Sequence, residues 1–142
     1  MNNVYEQPGF RLAEHKGKLI LKITQVGCLP DIDAFFVCYK ALLLQLQERN
    51  VTDARLLIDA SELCVHMKPH LMYYIMKGFK TLRPITMKVM RCAAVCLKTQ
   101  FFCTIVQPML DRNNKPEQYL PTLLSTDISI CKAFLGSHTS IK

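Results

Sequence analysis

Apolar and polar residues alternate along this chain with two different periods, and the change from one period to the other marks a succession of strands and helices. Residues 10–15 and 18–26 show the two-residue period of strands around a turn at Gly17. From Asp31 or Asp33, either of which is expected to cap a helix, to about Arg49, the period lengthens to that of an amphipathic helix. The apolar stripe of this helix comprises Ile32, Phe35, Phe36, Tyr39, Leu42, Leu43 and Leu46.

The same alternation continues to the end of the chain. Short apolar runs predict strands that are buried on both faces, and 3.6-residue stripes predict helices. In chain order these are a strand Ala54–Ala60, a helix Met67–Leu82 ended by Pro84, a strand Met87–Leu97, a helix over Phe101–Met109, a loop Asp111–Pro116, an edge strand Tyr119–Leu124 and a helix from the cap Ser125–Asp127 to Leu135.

The predicted order of elements is β-β-α-β-α-β-α-β-α. Strands that alternate with helices indicate an α/β protein with a mixed, mostly parallel sheet that begins with an antiparallel hairpin. Residues 1–142 have the length of a single domain, and its predicted core extends from about residue 10 to about residue 135.

Composition narrows the class of protein. Apolar residues make up 50% of the chain and charged residues 20%, which excludes an intrinsically disordered protein. The apolar runs are too short to span a membrane and the N-terminus lacks the pattern of a secretory signal, so we expect a cytoplasmic protein. The seven cysteines are odd in number and lack CxxC spacing, which favours reduced, buried thiols.

Charge is distributed unevenly. Between Glu62 and Asp111 the chain has no acidic residue but seven basic ones, and the other basic residues balance the acidic ones, so this tract accounts for the net charge of +7. Such an imbalance suggests a surface that meets an anion. The seven are Lys68, Lys77, Lys80, Arg83, Lys88, Arg91 and Lys98.

Part of this tract falls on the polar side of the second predicted helix. Tyr73, Lys77 and Lys80 lie opposite its apolar stripe, Tyr74 flanks them, and Arg83 follows at the helix end. Two tyrosines beside cations are typical of a contact surface. The alternative is an ordinary solvated face whose cations complement the helix dipole.

Two further groups of residues are candidates for chemistry. Asp59 and Ser61 end the third strand at the carboxyl edge of the sheet, where open α/β sheets place ligands. The simpler interpretation, which we favour, is that Asp59 bonds loop amides just past the strand. Cys64, His66 and His70 have spacing that a zinc ion could use, but no further ligand is suitably placed.

The sequence has no nucleophile elbow and no glycine-rich phosphate loop. We therefore expect neither an enzyme nor a bound metal or cofactor.

The order of elements, together with LLIDAS in the third strand and RCAAVCLK in the fourth, resembles the STAS family, and most closely its STAS-like branch of anti-sigma factor antagonist-like proteins. The resemblance covers about residues 10–135. It implies a regulatory domain whose second helix meets a partner or ligand, and some members resemble lipid-transfer folds. The serine that is phosphorylated in true antagonists has no counterpart in the stretch Cys64–Pro69.

Two hypotheses for function follow. In the first, a non-enzymatic module binds an acidic protein partner or an anionic ligand through Tyr73, Tyr74, Lys77, Lys80 and Arg83. In the second, a Met- and Phe-lined interior carries or senses a lipid or other amphiphile, with peripheral membrane contact through the basic tract. Few exposed aromatic residues accompany the basic ones, which disfavours nucleic acid. Homodimerisation stays open.

Overall fold

Three antiparallel strands begin the chain: β1 (Asn2–Gln7), β2 (Phe10–His15) and β3 (Lys18–Ile23). The computed structural model describes residues 2–25, 29–63, 69–113 and 120–137. Lys16 and Gly17, with φ of 50° and 82°, form the two-residue turn between β2 and β3. β1 was not among the predicted strands. A register shift between Asn3 and Tyr5 interrupts its alternation, so the sequence lacks the regular period of a strand there.

The sheet continues with three parallel strands, β4 (Ala54–Ala60), β5 (Met90–Leu97) and β6 (Thr122–Ser125). The strand order is β1-β2-β3-β4-β5-β6, so each strand pairs with its neighbours in the sequence and β6 lies at an edge. Across the described ranges, six strands and five helices are present. The predicted α/β class with a mixed, mostly parallel sheet is confirmed, and the strand Ala54–Ala60 has the predicted bounds.

The helices are α1 (Leu29–Glu48), α2 (Pro69–Thr81), α3 (Arg83–Val89), α4 (Gln100–Asn113) and α5 (Ile128–Ser137). α1 begins before Asp31 and Asp33, so neither residue is its cap. A proline fits the first turn of a helix, which is why Pro30 lies inside α1 instead of preceding it. At the last helix the prediction holds, because the Asp127 carboxylate accepts a hydrogen bond of 2.8 Å from the amide of Ser129.

The region after α2 differs from the prediction. Pro84 was expected to end the second helix and Met87 to begin a strand, but Pro84 lies in the first turn of the separate helix α3, and β5 starts at Met90. Proline lacks the amide hydrogen that the first turn leaves unbonded, so it can begin a helix as readily as it ends one. The observed order, βββαβααβαβα, therefore differs from the predicted one by β1 and α3.

Two apolar clusters hold the helices against the sheet. The larger contains buried residues of α1 to α4 and the inward side chains Leu12, Leu21 and Leu56 of the sheet. The smaller lies on the opposite face, where Cys131 of α5 contacts Leu57 and Ala94. Leu56 and Leu57 are consecutive in β4 and point to opposite faces, which is why the middle of this strand is an uninterrupted apolar run.

The cysteines follow the predicted pattern where they are described. Cys92, Cys96, Cys103 and Cys131 are buried free thiols, and Cys38 is a half-buried one. Cys28 and Cys64 lie outside the described residues, as do Met67, Lys68 and Tyr119 of the predicted elements. In the segments that the structure describes, no helix is both long enough and apolar enough to cross a membrane.

Candidate functional site

The solvent side of α2 carries three of the five residues expected to form a contact surface. Tyr73 is 63% exposed, and Lys77 and Lys80 are also exposed. They share a side of the helix because they are separated by three or four residues. We call Tyr73, Lys77 and Lys80 the α2 surface.

Tyr74 belongs to a different environment from the α2 surface. Its ring is half-buried and packs against the large apolar cluster. Its hydroxyl donates a hydrogen bond of 2.6 Å to the carboxylate of Asp33 in α1. This hydrogen bond, with a smaller contribution from burial, raises the pKa of Tyr74. Tyr74 thus connects α2 to α1.

Arg83 is the first residue of α3 and not the last of α2. It is half-buried, and this burial lowers the pKa of its guanidinium below the ordinary value, although an arginine remains charged at neutral pH. Arg83 and Lys80 both line a cavity beneath α2, whereas Lys77 does not. The predicted cluster of cations is therefore divided between solvent and the interior.

The cavity lies between α2, α3, α4 and the parallel strands, and we call it the α2 cavity. Its volume is about 120 Å³ and its walls are almost entirely apolar. Leu56 and Ala60 both line it, and the two residues lie roughly 13 Å apart along β4, at about 3.3 Å per residue. Further apolar lining comes from Ile58, Ala93, Val95, Ile75, Met76 and Phe79.

Polar atoms in the lining are few. They belong to Tyr39 of α1, Thr86 of α3 and the cations Lys80 and Arg83, together with Thr122 of β6. The Thr86 hydroxyl donates to the backbone carbonyl of Leu82 at 2.9 Å. An otherwise apolar wall with a few convergent polar groups is the usual composition of a small-molecule site.

Tyr39 is the most unusual member of this group. Its side chain is 0% exposed, and its ring is fixed by Phe35 and Phe79, whose centroids lie 5.6 Å and 5.5 Å away. Of the buried side-chain oxygens and nitrogens in the described residues, the Tyr39 hydroxyl alone has no hydrogen-bond partner. Burial raises the pKa of Tyr39, and the opposing effects of the nearby Thr86 side chain and of the Arg83 charge are smaller, so the hydroxyl keeps its proton.

Asp59 and Ser61 do not line the α2 cavity. One carboxylate oxygen of Asp59 accepts hydrogen bonds from the Ser61 amide at 3.1 Å and from the Ser61 hydroxyl at 2.6 Å. This is the geometry of an aspartate that shapes the turn after its strand. The carboxyl edge thus contains the loop contact that was the simpler interpretation of these two residues.

The rest of the basic tract does not gather at one place. Lys88 is exposed on α3, Arg91 is half-buried on β5, and Lys98 is exposed after β5. In the proposed metal cluster, Cys64 and His66 lie outside the described residues and His70 is exposed on α2. Across the residues described, no three histidines, cysteines or carboxylates are grouped so that they could hold a metal ion.

Comparisons with known proteins add no relatives. No family model matches this chain, and neither a curated protein nor a solved structure does.

Sequence reasoning did not identify Tyr39 or Thr86 as site residues. Tyr39 was placed on the buried stripe of α1, and a tyrosine there is a signal, because its hydroxyl needs a partner inside the core. Thr86 fell next to a strand that was predicted to begin too early. Both residues become recognisable only when α3 is seen to pack beside α1.

Proposed function

We propose that this chain is a non-enzymatic binding module for a small anionic amphiphile, whose apolar part occupies the α2 cavity and whose charge lies near Lys80 and Arg83. The observation that carries the proposal is the combination of an apolar cavity with two cations in its lining. This combination agrees with the resemblance to STAS-like domains, for which the second helix is the expected ligand surface.

The size of the α2 cavity limits the ligand. A dry core cavity of about 150 Å³ accepts benzene, so the volume of about 120 Å³ suits one ring or a short alkyl chain and not an entire lipid. The cavity is partly open to solvent. A ligand that binds there to the folded protein and not to the unfolded chain is expected to stabilise the fold.

Two matched variants test this proposal. Ala93 is 5% exposed and lies in the cavity wall, so Ala93→Ile fills part of the space with a residue that suits a strand. Ala13→Ile makes the same change on β2, at a half-buried position outside the cavity lining. The probe is sodium hexanoate, and binding is followed by chemical-shift changes in ¹H–¹⁵N NMR spectra and by the rise in Tm.

We expect hexanoate to shift the amides of α2, α3 and β5 in the wild type and in Ala13→Ile, and to leave Ala93→Ile unchanged. A wild-type protein that does not respond to hexanoate would contradict the proposal, as would equal binding by Ala93→Ile. Native mass spectrometry of the purified wild type gives a second measurement, because a retained small ligand appears as added mass.

A second candidate function rests on the α2 surface, which we propose as a docking site for an acidic protein. The supporting observation is the 63% exposure of Tyr73 beside the exposed Lys77 and Lys80, because an exposed aromatic residue among cations is typical of contact surfaces.

Poly-L-glutamate is a simple acidic probe for this second proposal. The double variant Lys77→Glu/Lys80→Glu is expected to lose binding to it, while Lys16→Glu/Lys18→Glu, with the same change of charge on the β2–β3 hairpin, is expected to retain most of it. Equal loss in both variants would show only a general charge effect.

A further inference from the structure

The hydroxyl of Tyr39 is buried at 0% exposure without a hydrogen-bond partner, inside a cavity whose walls are otherwise nearly all apolar. A buried hydroxyl that makes no hydrogen bond costs about 1–3 kcal/mol, so such groups are uncommon in folded proteins and have a reason where they occur. A ligand atom that accepts this hydrogen bond would provide that reason.

The surroundings of Tyr39 define what kind of acceptor fits. Stacking against Phe35 and edge contact with Phe79 hold the ring in place, so the hydroxyl has a fixed position. Arg83 lines the same cavity and is close enough to Tyr39 for the two to interact electrostatically. A neutral O–H donor beside a guanidinium matches a group that has two oxygens and a negative charge.

We infer that the ligand of the α2 cavity is a small monocarboxylate, and that Tyr39 determines this specificity by donating a hydrogen bond to one carboxylate oxygen while Arg83 binds the other. This inference rests on the proposed function and names its ligand class. A carboxylate is small enough to leave room in a cavity of about 120 Å³ for a ring or a short alkyl chain. The apolar part then lies against the aliphatic wall formed by Leu56, Ile58 and Val95.

The experiment compares two probes that have the same six-carbon chain, sodium hexanoate and 1-hexanol, with wild-type protein and the variant Tyr39→Phe. Phenylalanine retains the ring and its packing and removes only the hydroxyl. We expect wild-type protein to bind hexanoate more tightly than hexanol, and Tyr39→Phe to bind hexanoate at least about tenfold more weakly while its affinity for hexanol is unchanged. Arg83→Gln is expected to weaken hexanoate binding in the same selective way.

The Tm of wild-type protein and of Tyr39→Phe, both without ligand, tests whether the Tyr39 hydroxyl makes a hydrogen bond within the protein. Because the Tyr39 hydroxyl has no partner to lose, Tyr39→Phe is expected to have a Tm equal to or above that of the wild type. A clearly lower Tm would show that the hydroxyl is satisfied within the protein, and would overturn the inference.

The two proposals fail in different ways. If neither hexanoate nor hexanol binds to the wild type, both the proposed function and the inference are wrong. If both probes bind with equal affinity, or if Tyr39→Phe binds hexanoate as well as the wild type does, the cavity is a binding site but the assignment of a carboxylate to Tyr39 is overturned.

Discussion

The hydroxyl of Tyr74 and the carboxylate of Asp33 form a hydrogen bond of 2.6 Å that joins α2 to α1. Removing it with Tyr74→Phe leaves the packing of the ring in place, so we expect a lower Tm and faster amide hydrogen exchange in α2. Asp33→Asn keeps an oxygen acceptor at the same position, and its Tm is expected to fall less. If Tyr74→Phe leaves both Tm and exchange unchanged, the hydrogen bond does not stabilise the α1–α2 contact.

The same hydrogen bond predicts a dependence on pH. The pKa of Tyr74 is raised in the folded protein. The stabilisation that the hydrogen bond provides is therefore complete below the pKa of an unfolded tyrosine, about 10, and it is lost as the pH rises through the higher folded value. We therefore expect the difference in Tm between the wild type and Tyr74→Phe to be constant near neutral pH and to shrink above about pH 10. A difference that stays constant into that alkaline range would exclude the hydrogen bond as its cause.

Gly78 lies where α2 meets α1, and a methyl group added there would overlap the ring of Phe36. Alanine is the better helix former, yet we expect Gly78→Ala to lower the free energy of unfolding by about 1–3 kcal/mol, because overpacking outweighs the gain in helix propensity. A methyl group added at Gly136 in α5 would meet no atom within 4 Å beyond its chain neighbours and the backbone of its own helix, so Gly136→Ala is expected to raise the same quantity by up to about 1 kcal/mol. Urea denaturation measures both variants, and opposite signs are the expected result.

Arg55 connects the sheet to the last helix. Its guanidinium donates a hydrogen bond of 2.5 Å to the backbone carbonyl of Leu135, near the C-terminal end of α5, where a cation is favourable. We expect Arg55→Met to lower the free energy of unfolding by about 1.5 kcal/mol and to increase hydrogen exchange in α5. Lys18→Met, which removes a charge from the neighbouring position on β3, is the control and is expected to leave α5 unaffected. Equal exchange in the two variants would exclude a specific role for Arg55.

Cys131 predicts a second dependence on pH, on the opposite face of the sheet. Burial, together with smaller effects of Cys96 and nearby carboxylates, raises the pKa of Cys131 to about 11. An unfolded cysteine ionises near pH 8.5, so the thiolate favours the unfolded state between about 8.5 and about 11, and stability should fall as the pH rises through this range. Cys131→Ala should show a smaller decrease over the same range. Equal decreases, measured by urea denaturation at each pH, would contradict this assignment.

Some features of this molecule can be predicted from the sequence because their cause is local. The middle of Ala54–Ala60 is an apolar run, Leu56–Ile58, because helices cover both faces of the strand there. Asp127 accepts its capping hydrogen bond from an amide two residues away. Pro84 is ambiguous locally, because it is compatible with either the end or the start of a helix.

Other features depend on contacts between distant segments. The period of α1 predicts that Tyr39 faces inward, but not that its hydroxyl lacks a partner, because that depends on what α3 places beside it. The α2 cavity likewise results from how α2, α3 and α4 pack over β4 and β5. Tyr73 and Tyr74 are consecutive, but Tyr73 is exposed and Tyr74 is hydrogen-bonded to Asp33. This difference depends on where α1 lies relative to α2, which the local sequence does not reveal.

The sequential order of the sheet has a consequence for how the chain is made. Because every strand pairs with the one before it, each strand that leaves the ribosome meets an edge formed by residues already synthesised. Among the six strands that the structure describes, none must insert between two others, so each closing loop is a single hairpin or crossover connection. This order allows the sheet to be extended one strand at a time, from β1 to β6.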